Sequence, residues 1–177
     1  MPRISPATSS RCLALYQQAD GIGPIDPIPN MSATLAYSQA AFTAYLQGHQ
    51  LALEVEKMLG ERLANLFACA VAVGSDCPLC AAYFRKRISL TEESSALTQP
   101  GIVEKPLLDF ANSIARYRGN IADHIFNPVR EMLTDEEIIT LVAFAGMIMA
   151  ASVFNNVIET EMDEQLLPFQ PPLYQLR

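Results

Sequence analysis

The sequence contains no tryptophan, only two histidines, and few charged residues, 18% of the total. Twelve basic residues against nineteen acidic ones give a net charge of −7, which argues against nucleic acid or an anionic membrane surface as a partner. No phosphate-binding glycine loop, Ser/His/Asp signature or internal repeat stands out. Alternation of apolar and polar residues, the mark of strands, is also missing, so we predict an all-α fold.

Cysteine is scarce as well, with four residues in a chain of 177. This is too few for a secreted disulfide scaffold of this size, and the chain is long enough to bury a sizeable core without one. A single CxxC motif in such a chain fits a cytosolic redox or metal role better. The first residues lead into no continuous apolar run, so we expect no signal peptide and a cytoplasmic location.

Half of the residues are apolar, and the mean hydropathy of +0.17 is high for a soluble monomer. Residues 138–158 carry no charge and have the length of a membrane span. Acidic residues stand on both sides of this run without a flanking Lys or Arg, and Asn155 and Asn156 interrupt it. We therefore predict a helix buried on most sides inside a homo-oligomer, with the asparagines bonded across an interface or to backbone, and no membrane partner.

Helical periodicity predicts a single domain, 1–177, folded as a bundle of six to eight helices. The N-terminal segment 1–30 contains proline-rich and glycine-rich turns, residues 89–101 form a loop, and 165–177 form an extended tail that cannot be helical from 168 onward. The expected helices lie within 9–20, 32–48, 51–57, 61–73, 77–88, 102–117, 121–133 and from 134 onward.

Local residues indicate where several helices begin and end. Ser32 is expected to cap the second helix, which would end at Gly48, so that His49 would interact with the dipole at its C-terminus. Residues 134–137, Thr-Asp-Glu-Glu, form a capping-box pattern that opens the long apolar helix.

The most informative stretch is Cys77-Pro78-Leu79-Cys80, at the predicted start of a helix. This spacing lets one sulfur attack an oxidised partner while the other resolves the product, and a helix N-terminus lowers a thiol pKa. Ser75 or Asp76 is expected to cap the helix, and proline suits its first turn.

Two alternatives remain open for the CxxC motif. It is a structural disulfide or a pair of free thiols, or it is half of a zinc site. Zinc would require Cys69, His49 and His124 to converge on the pair, because the sequence has no second CxxC motif. The expected role of Cys69 is core packing, and Cys12 is read as an incidental thiol.

The CxxC motif belongs to a longer pattern over residues 59–84, Leu-x5-Asn-x11-Cys-x-x-Cys-x3-Phe. Residues 1–6 resemble the opening of a known protein family that carries this pattern, and residues 133–138 and 154–156 resemble its last helix. On these residues the chain resembles the carboxymuconolactone decarboxylase / alkyl hydroperoxidase D-like superfamily, specifically its uncharacterised peroxidase-related members. The resemblance implies an all-helical trimer or hexamer without a metal or organic cofactor.

The resemblance also implies a mechanism. Cys80 would attack a hydroperoxide to form a sulfenic acid, Cys77 would resolve it as a disulfide, and a thiol donor protein would reduce the pair again. The positions of the family's relay glutamate and histidine hold Asn65 and Phe84 here, so neither can move a proton. Glu61, one turn before Asn65, is expected to act in their place through water, in a weak peroxidase.

Other residues and other functions remain as alternatives to this hypothesis. Arg87, two turns after Cys80, would add positive potential at the thiols, and His124 is a further candidate for the missing histidine. The substrate would be a hydroperoxide or the disulfide of a partner. A non-enzymatic helical oligomer with a vestigial or regulatory disulfide is the alternative. Lactone decarboxylation is less favoured, since superfamily members with that activity generally lack the CxxC motif.

Overall fold

The computed structural model describes residues 1–18, 27–91 and 104–170, and those residues form eight α-helices and one 3₁₀ helix, without a β-strand among them. The prediction of an all-α fold of six to eight helices is therefore confirmed. The elements are α1 Ser9–Gln17, α2 Asn30–Leu35, α3 Gln39–Leu59, α4 Glu61–Gly74, α5 Pro78–Ser89, α6 Lys105–Arg116, α7 Asp123–Met132, α8 Asp135–Ile158 and the 3₁₀ helix Glu164–Phe169.

The main core surrounds α4, which packs against α5 and α6 and is backed by α8. The buried side of α4 repeats at helical spacing through Ala64, Phe67, Ala68, Val71 and Ala72. The ring of Phe67 stacks on a phenylalanine of α8 with 6.3 Å between centroids. Full burial of each such aromatic or aliphatic side chain contributes about 1.5–3 kcal/mol, so this face holds α4 and the following turn in place.

A second, smaller core joins α1, α2 and the first half of α3. Cys12 and Tyr16 of α1 are buried there against Phe42 and Leu46 of α3. The rings of Tyr16 and Phe42 meet edge to face with 5.0 Å between centroids. Cys12 therefore lies in a core separate from that of the CxxC motif, as a buried free thiol.

Helix α3 is continuous over 21 residues, although the sequence predicts a break at Gly48. A Cβ on Gly48 would lie 1.8 Å from Sδ of Met147, so this glycine lets α3 and α8 approach closely instead of ending a helix. His49 consequently lies inside the helix, and its predicted capping role is wrong. The predicted cap at Ser32 is also wrong, because Ser32 is buried within α2 and Ser38 caps α3.

Helix α8 begins at the predicted capping box, in which Thr134 and Glu137 each accept a hydrogen bond from the other's backbone N–H. By length and composition alone it is apolar enough to cross a membrane. That criterion is weak for one helix, because the core helix of a soluble protein also passes it. One side of α8 packs on α3, α4 and α5, and about a third of its apolar window is buried.

The first eight residues form no helix, in agreement with the prediction, and they are joined to the end of α8. The backbone N–H of Arg3 donates to the carbonyl of Ile158 at 2.9 Å, and its guanidinium forms an ion pair with Glu159 at 2.8 Å. The predicted tail begins as helix, because Pro168 and Phe169 belong to the 3₁₀ helix that packs on α5. Residues 171–177 of that tail and 92–101 of the predicted loop lie outside the described residues.

Candidate active site: a thiol pair beside an apolar cavity

The CxxC motif lies at the sharp turn between α4 and α5. Asp76 turns the chain in the left-handed region, with φ of 50°, a conformation that aspartate tolerates better than most residues. Cys77 itself is the N-cap of α5, and its Sγ accepts a hydrogen bond from the backbone N–H of Cys80 at 3.4 Å. The predicted caps, Ser75 and Asp76, are therefore wrong, whereas Pro78 stands in the first turn as predicted.

The two thiols are free and buried, and they differ in pKa. The hydrogen bond from the Cys80 thiol is the largest of several effects that together lower the pKa of Cys77 to about 7. The backbone N–H groups of Cys80 and Leu79 and the side chain of Ser152 act in the same direction, and burial acts against them. The same bond raises the pKa of Cys80, together with burial and the nearby Cys77 charge. The pair therefore loses its first proton near neutral pH and shares the second.

Two adjacent asparagines of α8 hold the thiol pair from the other side. Asn155 Nδ2 donates to the Sγ of Cys80 at 3.3 Å. Asn156 Nδ2 lies 3.3 Å from the carbonyl oxygens of Ser75 and Asp76, which form the turn before the motif. The expectation that these side chains bond to backbone is confirmed for Asn156. The sequence does not predict the bond from Asn155 to the Cys80 sulfur, because 75 residues separate the partners.

An apolar cavity of about 130 Å³ opens beside Cys80. Cys80 belongs to its wall and is 6% exposed, whereas Cys77 is fully buried and does not line it. Helices α3, α4, α5 and α8 all contribute to this wall. A cavity of about 150 Å³ holds a benzene molecule, so this one suits the apolar part of a small organic substrate. Cys80 is the thiol that such a substrate meets first.

The charged groups near the cavity neutralise one another. Arg87 contributes to the cavity wall and forms ion pairs with Glu56 at 2.8 Å and Glu61 at 3.0 Å, so it brings no uncompensated positive charge to the thiols. The Glu61 side chain is 57% exposed and does not line the cavity. Its predicted part as the proton relay stays a prediction, and its observed partner is Arg87.

The resemblance assigns a proton relay to positions 65 and 84, and the side chains there cannot transfer a proton. Asn65 and Phe84 both line the cavity. Asn65 is buried and donates from Nδ2 to the carbonyl oxygen of Glu61 at 2.8 Å, while Phe84 packs edge to face against Tyr83. Neither side chain exchanges a proton, so the site lacks a relay at these positions.

A histidine that was not predicted lies at the cavity. His49 lines it, and its Nε2 is buried without a hydrogen-bond partner among the described residues. Burial, and secondly the charge of Arg87, lower the pKa of His49, so the ring is neutral at pH 7. Tyr45, one turn earlier, lines the same cavity and meets the imidazole edge to face at 5.7 Å. Their i, i+4 spacing was a usable signal, hidden by the predicted break at Gly48.

The other candidate ligands do not meet the thiol pair. His124 is exposed on α7, and Cys69 lies in α4 with its Sγ 3.9 Å from the carbonyl oxygen of Ala81. Within the part of the chain that the structure describes, no group of three or more His, Cys, Asp or Glu side chains is arranged to hold a metal. The convergence of Cys69, His49 and His124 that a zinc site would require is therefore not found.

No protein-family model and no curated protein matches the chain. Four chains of solved structures do match, and the following two are among them. The apo form of the debrominase Bmp8 matches with a TM-score of 0.70 and 12% identity, over 98% of this chain and 97% of the other. The alkylhydroperoxidase AhpD core of an uncharacterized peroxidase-related protein from Ralstonia eutropha JMP134 matches with a TM-score of 0.67 and 18% identity, over 89% and 85%. The chain therefore shares the all-helical fold of the alkylhydroperoxidase AhpD core.

Proposed function

We propose that this protein is a dithiol oxidoreductase that reduces small organic hydroperoxides through Cys80 and Cys77. The observation that supports it is the position of Cys80 in the wall of an apolar cavity, with a second thiol of lowered pKa directly behind it. The peroxidase-related protein with the same fold makes peroxide chemistry the first hypothesis. A partner protein's disulfide is an alternative substrate for the same two thiols.

The proposed cycle moves two electrons from the thiol pair to the substrate. The Cys80 thiolate attacks the terminal peroxide oxygen, the O–O bond breaks, and the alcohol leaves after it takes up a proton. Cys77 then attacks the resulting Cys80 sulfenic acid, so that an S–S bond forms and water leaves. A thiol donor protein would reduce the disulfide again. No metal or organic cofactor enters these steps.

Burial supports this order of the two cysteines. Cys80 lines the cavity, and Cys77 is fully buried behind it. The pKa of Cys77, lowered to about 7 by the Cys80 thiol, lets the reduced pair lose one proton near neutral pH. Trapping with dimedone tests the order, because Cys77→Ser should accumulate a labelled sulfenic acid on Cys80 after addition of tert-butyl hydroperoxide. Cys80→Ser should give no label on Cys77, and the reverse pattern would contradict the assignment.

The remaining hypotheses predict different results in the same experiment. A non-enzymatic oligomer with a vestigial disulfide would show no peroxide-dependent label in either variant. A lactone decarboxylase would keep its activity when both thiols are replaced, in Cys77→Ser/Cys80→Ser. The dithiol oxidoreductase alone requires both sulfurs.

We also propose that the protein is a cytoplasmic homo-oligomer, in which a second copy covers the outer face of α8. This face is apolar and exposed at Ile139, Val142, Val153 and Val157. Its residues form pairs at equal distances from position 148, namely 139 with 157, 143 with 153, and 146 with 150. An antiparallel pair of these helices would therefore place Gly146 and Ala150 at the crossing and larger residues outside it.

The symmetry of this face bears on the number of subunits. An antiparallel helix pair has a two-fold axis, which a hexamer built from three dimers contains and a simple trimer does not. Of the two assemblies that the sequence resemblance implies, the α8 face favours the hexamer. Solution mass measured by light scattering tests this, and a trimer would contradict it.

A further inference from the structure

We propose that His49 moves the proton in the reaction at Cys80, first accepting the thiol proton and then giving it to the leaving alkoxide. The inference rests on the proposed function and assigns a catalytic residue to the same cavity. It replaces the relay that Asn65 and Phe84 cannot provide.

The reaction requires a proton donor at the cavity. Breaking the O–O bond of an alkyl hydroperoxide releases an alkoxide, which is a poor leaving group unless it is protonated as it departs. Cys77 does not line the cavity, and the Glu61 carboxylate is ion-paired outside it. The donor must therefore be another side chain of the cavity wall.

The other titratable side chains of the cavity wall either have a partner already or cannot accept a proton. Glu56 and Arg87 are bound to each other, and Asp163 accepts a hydrogen bond from the backbone N–H of Asn30 at 2.9 Å. Burial raises the pKa of Tyr45, whose phenol keeps its proton and cannot act as a base. Tyr83 packs against Phe84.

His49 differs from all of them because its Nε2 is buried and lacks a partner among the described residues. An unpaired buried polar atom is destabilising, and a bound hydroperoxide or water would relieve this cost. Gly48 leaves room for the Met147 side chain of α8 beside this turn of α3, and the Tyr45 ring meets the imidazole edge to face. The imidazole is thus held at the cavity before a substrate arrives.

One turnover of the peroxide step neither consumes nor releases a proton. Neutral His49 takes the proton of the Cys80 thiol, and the thiolate attacks the terminal oxygen of the hydroperoxide. As the S–O bond forms and the O–O bond breaks, the imidazolium returns its proton to the alkoxide. The products are Cys80 sulfenic acid, an alcohol and neutral His49. Burial makes the imidazolium a stronger acid, which favours the second transfer and opposes the first, so the first transfer accompanies the attack on the hydroperoxide.

The test compares two oxidants that differ in their need for a proton. tert-Butyl hydroperoxide releases a strongly basic alkoxide, whereas peracetic acid releases acetate, which leaves without protonation. The rate of Cys77–Cys80 disulfide formation is measured by mass spectrometry in the full chain. We expect His49→Gln to slow the reaction with tert-butyl hydroperoxide by about 10²-fold and to slow that with peracetic acid clearly less, because only the acceptance of the thiol proton is lost there. His124→Gln, at the exposed histidine of α7, is the matched control and should change neither.

Further variants separate a chemical role from a structural one. Added imidazole should restore part of the tert-butyl hydroperoxide rate in His49→Ala. Equal losses with both oxidants would mean that His49 does not return a proton to the alkoxide, and equal rates in the wild type and His49→Gln would mean that His49 has no part in the reaction. A selective loss in Tyr45→Phe but not in His49→Gln would assign the proton to Tyr45, and each of these three results overturns the inference. A wild-type protein inert to both oxidants would overturn the proposed function as well.

Discussion

Asn155 on α8 and Cys80 on α5 form a hydrogen bond, with 3.3 Å between Nδ2 and Sγ. The bond connects the last long helix to a motif 75 residues earlier, and the neighbouring Asn156 holds the backbone of the preceding turn. Polar side chains in an apolar helix are costly unless they are paired. Here the pairing builds the thiol site, so α8 both completes the core and supports the chemistry.

Removal of this donor should slow the peroxide reaction. A hydrogen bond to a charged group contributes about 1.5–3 kcal/mol, and 1.36 kcal/mol corresponds to a tenfold change. Asn155→Ala should therefore reduce the rate of disulfide formation at pH 7 by about ten- to a hundredfold, because the Cys80 thiolate loses a donor. Asn127→Ala, at an exposed asparagine of α7, is the control. Equal rates in the two variants would show that Asn155 does not act on the sulfur.

The low pKa of Cys77 should depend on its partner thiol. The hydrogen bond from Cys80 is the largest cause of this lowered pKa of about 7, so Cys80→Ala should raise it. In the wild type, absorbance at 240 nm should report one thiolate per chain that appears as the pH rises through about 7. Burial raises the pKa of Cys12 and Cys69, which keeps both out of this range. A midpoint that Cys80→Ala leaves unchanged would contradict the shared proton.

Glu61 provides a test of the relay that the sequence predicts. Its carboxylate is half exposed on Arg87, and exposed ion pairs contribute only about 0–1 kcal/mol. We expect Glu61→Gln to change the rate of disulfide formation with tert-butyl hydroperoxide by no more than about twofold. A loss of about 10²-fold would instead identify Glu61 as the proton relay and remove the need for His49.

The exposed face of α8 should control assembly. Val153 is 61% exposed in the single chain, and a carboxylate there would be buried between copies without a partner. Val153→Glu should reduce the mass measured by light scattering to that of a smaller assembly or a monomer. Leu53→Glu, at a side chain of α3 that is 51% exposed, is the control and should leave the mass unchanged. If both variants keep the wild-type mass, copies associate through another surface.

Local signals in the sequence predicted the helices and the thiol pair. The capping box at Thr134, the apolar repeat of α4 and the CxxC motif all depend on residues a few positions apart, so they can be recognised without a structure. Gly48 shows where this fails. As a local signal it indicates a helix end, but its contact with Met147 on a distant helix gives it a different role.

The side chains that contact the thiols or share their cavity could not be predicted, for the same reason. Asn155 and His49 reach the site from α8 and α3, and only the packing of these helices brings them to α5. The sequence therefore specified which sulfurs to examine, whereas the groups that tune and serve them depend on contacts between residues far apart in the chain.

The central claim is that Cys80 and Cys77 form a peroxide-reactive pair despite the missing relay. The most direct measurement is the rate of Cys77–Cys80 disulfide formation in the reduced full chain after addition of stoichiometric tert-butyl hydroperoxide, followed from about pH 5 to 9. Because the coupled thiol pair loses its first proton near pH 7, we predict rapid oxidation that increases with a midpoint near 7, well below the free-thiol value of about 8.5. Oxidation no faster than that of free cysteine across this range would contradict the account and leave a helical oligomer with an inert thiol pair.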